Sequence, residues 1–524
     1  MKRTALLLLL TSCTVFDHEI AICKTNGECT GQVGDAPAVC VHEPIGHCVA
    51  LTSEDCTVVT GDPSDDRAVL IASLLSTTGA QAATNLARQQ AAIMAVEEIN
   101  APGGILQSVT PGDARKLVMV SCDEAANLPR AATHLVSELR TTAIVGPNLS
   151  QDTLDFTTGN PAIGLPSSAQ AGTALLTPTG VASAIATVPD NGLTYMMTPN
   201  DIQRVPLMKL QINAVETKLA AARGHAVKLA IYYRDDALGK GTRDGLTSLM
   251  INNTSLANAI SLGHAREDSY DPDSTNNATL VTSYVQFQPD IIVIVGAPES
   301  VKYFVQPLEA AWRAGVPRPY YIAIDSTKVQ DLLTAVTGND DLRQRFRGTG
   351  IATTVETDPV QSAFQIAYGQ RWKDASGNPQ SATQSGMGPS YDAVYAIALA
   401  LVGKSDIGAA SMVAGLPTLA ANTQTCVYDG TFVESPCFSV TDHGRTLYDS
   451  MGALLQAKKI TEIGTAGRLE WDAQGSKSSG SIEVWCIDGT NPPKPKFASS
   501  GLSYDIKTQN TSGSYTDCAP GGLP

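Results

Sequence analysis

The sequence predicts an α/β protein whose parallel, doubly wound sheets are divided between two domains. Three observations predict it. From residue 67 onward, short apolar runs bounded by polar loops alternate with segments of helical periodicity, the rhythm of βαβ units. The apolar runs are nearly continuous, as strands covered on both faces require. A chain of 524 residues is also too long for a single core. Hydrophobic residues make up 43% and aromatic residues 5%, which fits an ordered, Ala/Val/Leu-rich protein. A formal net charge of −15 argues against nucleic acid as a partner, because that binding depends on Lys and Arg neutralising phosphates. The acidity reads as solubility.

At the N-terminus, Lys2 and Arg3 precede the apolar run Ala5 to Leu10, followed by Thr11, Ser12 and Cys13. A charged start, a short apolar core and small residues make a secretory signal over residues 1–12, too short to span a membrane. No later stretch approaches the ~20 apolar residues of a spanning helix. Leu10 to Cys13 resembles the lipobox of bacterial lipoproteins. The resemblance implies that Cys13 becomes the lipidated first residue and anchors the protein in the cell envelope, with a plain cleaved signal as the alternative. Thr14 rather than Asp after the cysteine favours, by analogy, the outer membrane.

Eleven cysteines leave an even number once Cys13 is set aside, as disulfides in an oxidising compartment would. Residues 13–66 read as a Cys-rich leader and tether without helical or strand periodicity. Local pairing suggests Cys426 with Cys437 and Cys486 with Cys518, leaving an odd leader cysteine, Cys56 being the candidate, to pair with Cys122. A Cys/His zinc knuckle is the alternative for the leader. His42 to His47 looks at first like a zinc-protease helix, but the two histidines are five apart and Pro44 with Gly46 prevents a helix.

The organising unit is 67–105. Ala68 to Leu75 reads as a buried strand, Ser76-Thr77-Thr78-Gly79 as its loop, and Thr84 to Asn100 as a helix with Leu86, Ile93, Val96 and Ile99 on its apolar face. Pro102-Gly103-Gly104 stops it. The loop lies where open α/β sheets bind ligands, at a strand's carboxyl end and near a helix N-terminus. Lys116 to Asp123 and Thr142 to Pro147 are the next strands, with a helix over Ala131 to Leu139 between them. Ala174 to Gly180 follows.

The wording of these units resembles the type I periplasmic solute-binding proteins, of the leucine/isoleucine/valine-binding branch. The opening strand and loop with AVEEIN-x-x-GGI, then VGPNLSQ over 145–151, match that family's order. So do Thr177-Pro178-Thr179 and the segment Met196 to Arg204, which is similar to its hinge sequence. Further on, Arg234 to Gly239 resembles its Y-x-D-D-x-Y-G loop, Pro389 to Leu401 its G-Y-D-A-V helix, and Gly467 to Gly475 its late hairpin. The similarity spans roughly 67–484. It departs at Val181, Met196 and Leu238, which stand where the family carries a Thr, an Arg and a Tyr. Loss of the hydroxyl at Val181 makes a standard α-amino acid a less secure ligand.

The resemblance implies two doubly wound lobes joined by a multi-strand hinge. Residues 67–200 would open lobe 1 and 201–352 lobe 2; 353–460 would return to lobe 1, and 461–524 would supply hinge, lobe 2 return and tail. It implies that a small polar solute, an amino acid, amide or similar, docks on Ser76, Ser150, Gln151, Thr177 and Thr179. Asp325, at the end of the strand Tyr320 to Asp325, would hold an ammonium group. Ser150 also suits a helix N-cap and Asp325 a cap. No cofactor or metal is implied. Delivery to an ABC transporter is the implied role, with a sensor or a solute-free scaffold as alternatives. An enzyme is not expected: none of the seven histidines stands beside a G-x-S-x-G serine, a cysteine nucleophile or an H-E-x-x-H helix. Asp268, Asp271 and Asp273 lack the Gly and Glu of an EF-hand and read as a solvated turn. Gly239-Lys240-Gly241-Thr242 lacks the earlier Gly of a phosphate loop.

Overall fold

The structure, a computed structural model, describes residues 22–42, 45–110, 112–421, 424–433, 436–441, 447–489 and 495–516. The signal segment, Cys13 and Cys518 lie outside these described residues.

The first sheet runs, edge to edge, Thr194–Met196, Ala174–Thr177, Ala143–Val145, Val69–Leu75, Leu117–Asp123 and Cys56–Thr60. All neighbours are parallel except the last pair. The second sheet runs Ala265–Tyr270, Leu229–Arg234, Ile291–Val295, Tyr320–Ile324 and Phe346–Ile351 in parallel. Ser481–Asp488, Lys496–Asp505 and Asn510–Ser512 then extend it antiparallel. In each parallel set the strand that comes first in the chain lies between the second and the third. Chain order therefore reverses direction there, making a switch point whose crevice opens at the strands' carboxyl ends.

Two expectations are corrected here. The leader is not a tether ahead of the first lobe. Its hairpin, Ala38–Val41 with His47–Ala50, places Val39, Val41 and Leu51 in the core beneath the first sheet, and Cys56–Thr60 is that sheet's edge strand. The end of 461–524, expected to finish as a tail, supplies two strands of the second sheet. Alternation of Leu502, Tyr504 and Ile506 toward one face buries what composition had hidden.

Disulfides join Cys23–Cys40, Cys29–Cys48, Cys56–Cys122 and Cys426–Cys437. The leader thiols a zinc ion would need are thus oxidised in pairs. Cys486 is also disulfide-bonded.

Helix Ala82–Asn100 buries Ile93, Val96 and Ile99, but Leu86 is exposed. The buried face is instead built on Ala87, Ala91, Ala92 and Ala95, because helix Met387–Ala400, buried along its whole length, packs against it. Small residues let the two backbones approach closely. Tyr395 donates from its hydroxyl to Glu98 Oε2 at 3.0 Å, pairing a carboxylate of one helix with the other. The helix expected from Ala131 begins at Glu124, capped by Asp123, whose Oδ1 accepts from Ala125 N at 3.0 Å. Asn127 breaks it with φ −163°, two residues ahead of Pro129.

The chain crosses between the two sheets three times, and the crossings are tied together. Met196 N donates to Gly475 O at 2.9 Å, Trp471 Nε1 to Met196 O at 2.8 Å and Gln203 Nε2 to Lys477 O at 2.8 Å. Ala352 N donates to Ser481 O at 2.8 Å. Asp392, on the buried helix, accepts from Thr465 N and Thr465 Oγ1, both at 3.0 Å, and from Ala466 N at 3.3 Å.

The bond between Cys56 and Cys122 closes a sequence separation of 66 residues. Replacing both with Ser should lower unfolding free energy by up to about 4 kcal/mol through the entropy returned to the unfolded chain. Guanidinium titration of the variant beside its parent measures the loss.

Candidate functional site

The crevices of the two switch points face each other, and between them lies a cavity of about 160 Å³. Lobe 1 contributes the residues after its strands: Asn148, Leu149 and Ser150, Pro178, Thr179 and Val181, and Thr198, with Gln81, Thr84 and Arg88 from the opening helix region. Lobe 2 contributes Arg234, Asp236 and Leu238 after its first strand, Ala297 and Pro298 after its third, and Asp325, Ser326 and Lys328 after its fourth. Arg204, from the first turn of helix Asp201–Arg223, stands at the side. Leu149, Val181, Leu238, Ala297 and Pro298 give the cavity an apolar wall. The sharp turn into Pro147 and Asn148 is made by Gly146 at φ +135°, where a Cβ would lie 2.2 Å from Leu74 O; only Gly fits that approach.

Of the residues expected in the site, Ser150, Thr179 and Asp325 line the cavity, and Ser76, Gln151 and Thr177 do not. Ser76 Oγ donates to Glu124 Oε1 at 2.8 Å, while Thr77 N and Thr78 Oγ1 donate to Asp123 at 2.9 and 2.5 Å. The acids after the neighbouring strand therefore use the loop's donors. Gln151 is exposed and donates to Asp155 Oδ1 at 3.2 Å. Thr177, fully buried, donates to Pro147 O at 2.8 Å and accepts from Gly180 N at 2.8 Å. Ser150 Oγ accepts from Val181 N at 3.0 Å and Ala182 N at 3.1 Å. Thr179 Oγ1 donates to Asn148 O at 2.7 Å. Asp325 is held by Arg204, whose Nη1 donates to its Oδ1.

What the sequence reading missed is the set of cations. Arg88 donates from Nε to Ser385 O at 2.8 Å and from Nη1 to Asn85 Oδ1 at 2.8 Å and to Asn148. Arg204 donates from Nε to Pro199 O at 3.0 Å. Arg234 donates to Asp236 Oδ2 at 2.7 Å and Glu299 Oε1 at 2.8 Å. All three are buried. One signal was available: Arg204 occupies the first turn of a helix, where the dipole disfavours a cation, so a nearby acid was to be expected.

Burial lowers the pKa of Arg88 to about 10, against the raising influence of Asp325 and Glu124, so it stays protonated at neutral pH. Glu124 is pushed up to about 8, first by burial and then by the charge of Asp152; hydrogen bonds from Ser76 and Asn148 pull the other way. It is held uncharged at neutral pH.

No family model matches the sequence, and no curated protein matches it. Solved structures do. A branched-chain amino acid transporter substrate-binding protein from Streptococcus pneumoniae, in complex with isoleucine, is 17% identical with a TM-score of 0.55, covering 82% of this chain and 99% of its own. A leucine-binding protein from Thermotoga maritima is 13% identical with a TM-score of 0.56, covering 82% and 97%. This chain has the type I periplasmic binding fold. A solute-binding protein of an ABC transporter from Rhodopseudomonas palustris, in complex with 3,4-dihydroxybenzoic acid, is 13% identical with a TM-score of 0.55, covering 87% and 99%. In the type I fold as this chain builds it, the cavity sits between the two lobes beside the first of the three crossings.

Folding raises the Glu124 pKa from 4.5 to about 8. The group's contribution to stability is therefore complete below pH 4.5 and is lost as pH rises through about 8. Glu124→Gln should flatten that part of the decline, which urea midpoints taken from about pH 5 to about pH 9 would show.

Proposed function

We propose that this protein is a lipid-anchored, extracytoplasmic binding protein that captures a small polar solute by closing its two lobes and presents it to an ABC transporter. The observation that carries the reading is the cavity itself: its walls come from the carboxyl ends of both sheets, and three tied crossings, the first of them beside it, can act as a hinge. Solute would dock against one lobe and be completed by the other, and exclusion of water would strengthen the few polar contacts. The solved structures of this fold support the reading, since one holds isoleucine and another 3,4-dihydroxybenzoic acid. The protein is not read as an enzyme, because the described residues lining the cavity include serines but no histidine to activate one and no cysteine nucleophile. Gln151 and Thr177, which the family resemblance implied as ligand contacts, are assigned no contact here, whereas Thr179 and Ser150 set the loops that shape the cavity.

Protein purified without refolding, then denatured, should release a small molecule detectable by mass spectrometry, and adding that molecule back should contract the protein in small-angle scattering. Release of nothing, with no contraction in a panel of amino acids, amides and organic acids, would favour the solute-free scaffold. The anchor is tested separately. Cys13→Ser should move the protein from the membrane fraction to the soluble one, and continued membrane association would remove the lipid from the proposal.

A further inference from the structure

We propose that the solute is an organic anion, a carboxylate with an apolar body and no ammonium group, and that Asp325 serves to position Arg204 rather than to hold a ligand's cation. This rests on the solute-binding reading above and names the class that the same cavity takes.

The cavity lining carries four cations, Arg88, Arg204, Arg234 and Lys328, against two acids, Asp236 and Asp325. Both acids are already used. Asp236 accepts from Arg234 Nε at 2.7 Å and from Gly239 N at 3.0 Å, and Asp325 accepts from Arg204. Arg88 is 8% exposed and Arg204 4%. Among the described residues their hydrogen bonds use Nε and Nη1, leaving Nη2 of each for an occupant of the cavity. A guanidinium so deeply buried is costly unless its donors are met, and its planar fork suits a carboxylate. Lys328 has no ion pair among the described residues.

An α-ammonium group would fare badly here. It would sit among three guanidinium groups, and the carboxylate expected to receive it is already paired with Arg204 through Oδ1. Arg204 is paired with Asp325, and Arg234 with Asp236 and Glu299; Glu124, close enough to Arg88 to influence it, is pushed toward its uncharged form by burial, so that among the described residues Arg88, like Lys328, has no ion pair. The wall of Leu149, Val181, Leu238, Ala297 and Pro298 offers an apolar body nothing to clash with chemically. The contrast with the whole chain, at −15, shows that this excess of cations is local and not a matter of composition.

Matched pairs test the proposal on the mature protein in thermal unfolding: 4-methylpentanoate against leucine, 3-phenylpropanoate against phenylalanine, and 3-(4-hydroxyphenyl)propanoate against tyrosine. At ~100 times its dissociation constant, a bound ligand should raise the midpoint by roughly three degrees. The expected result is a rise with at least one carboxylate and none with its ammonium-bearing partner. Asp325→Asn should then keep or tighten binding, because Arg204 is released, whereas Arg88→Gln should weaken it at least tenfold. The matched pairs decide the matter even if either variant fails to fold. A rise with an amino acid that Asp325→Asn abolishes would overturn this inference and leave solute binding standing. No rise with any of these acids or amino acids would overturn it too, and the small molecule released on denaturation would show separately whether solute binding survives.

Discussion

Parallel strands must be covered on both faces, and in this chain that requirement governs everything else. The strands Val69–Leu75 and Ile291–Val295 are buried almost throughout, so helices occupy both sides of each sheet and leave only the strand ends for polar work. Helix Met387–Ala400 completes the cover on lobe 1 although it comes some 190 residues after the last strand of that sheet. The chain must therefore leave lobe 1, build most of lobe 2 and return, and the three crossings are the consequence.

Those crossings hold buried charge of their own. Asp392 is fully buried, and its pKa is pushed up to about 6 by burial, while the charge of Lys477 and hydrogen bonds from Thr465 and Ala466 oppose the rise. Lys477, equally buried, is lowered to about 8 for the same first reason. Arg204 links the first crossing to lobe 2 through Pro199 O and Asp325. The cavity is thus bordered by a polar frame whose members hold one another, and only part of it is free to meet a solute.

Much of the fold was legible because it follows from local pattern. The strand expected over Tyr320 to Asp325 runs Tyr320–Ile324, and that over Ala68 to Leu75 runs Val69–Leu75; a continuous apolar run between polar loops has few other solutions. The site was less legible. Ser76 and Thr177 occupy the right loops, yet their hydroxyls satisfy Glu124 and Pro147, partners 48 and 30 residues away. Leu86 sits at helical spacing and is exposed, because the surface it would have covered is taken by an Ala-rich helix from far along the chain. The strand over Lys496–Asp505 was hidden by a composition that resembles loop, since a strand one place in from the sheet edge and half in water tolerates Ser and Gly.

By itself the sequence determined the α/β class and the order of the buried parallel strands along the chain, because periodicity and turn residues act over a few residues. Only the tertiary structure decided which charges share the cavity. Arg88, Arg204, Arg234 and Asp325 come from four separate segments, and whether a buried charge is free or spent depends on the partner that folding places within hydrogen-bond reach.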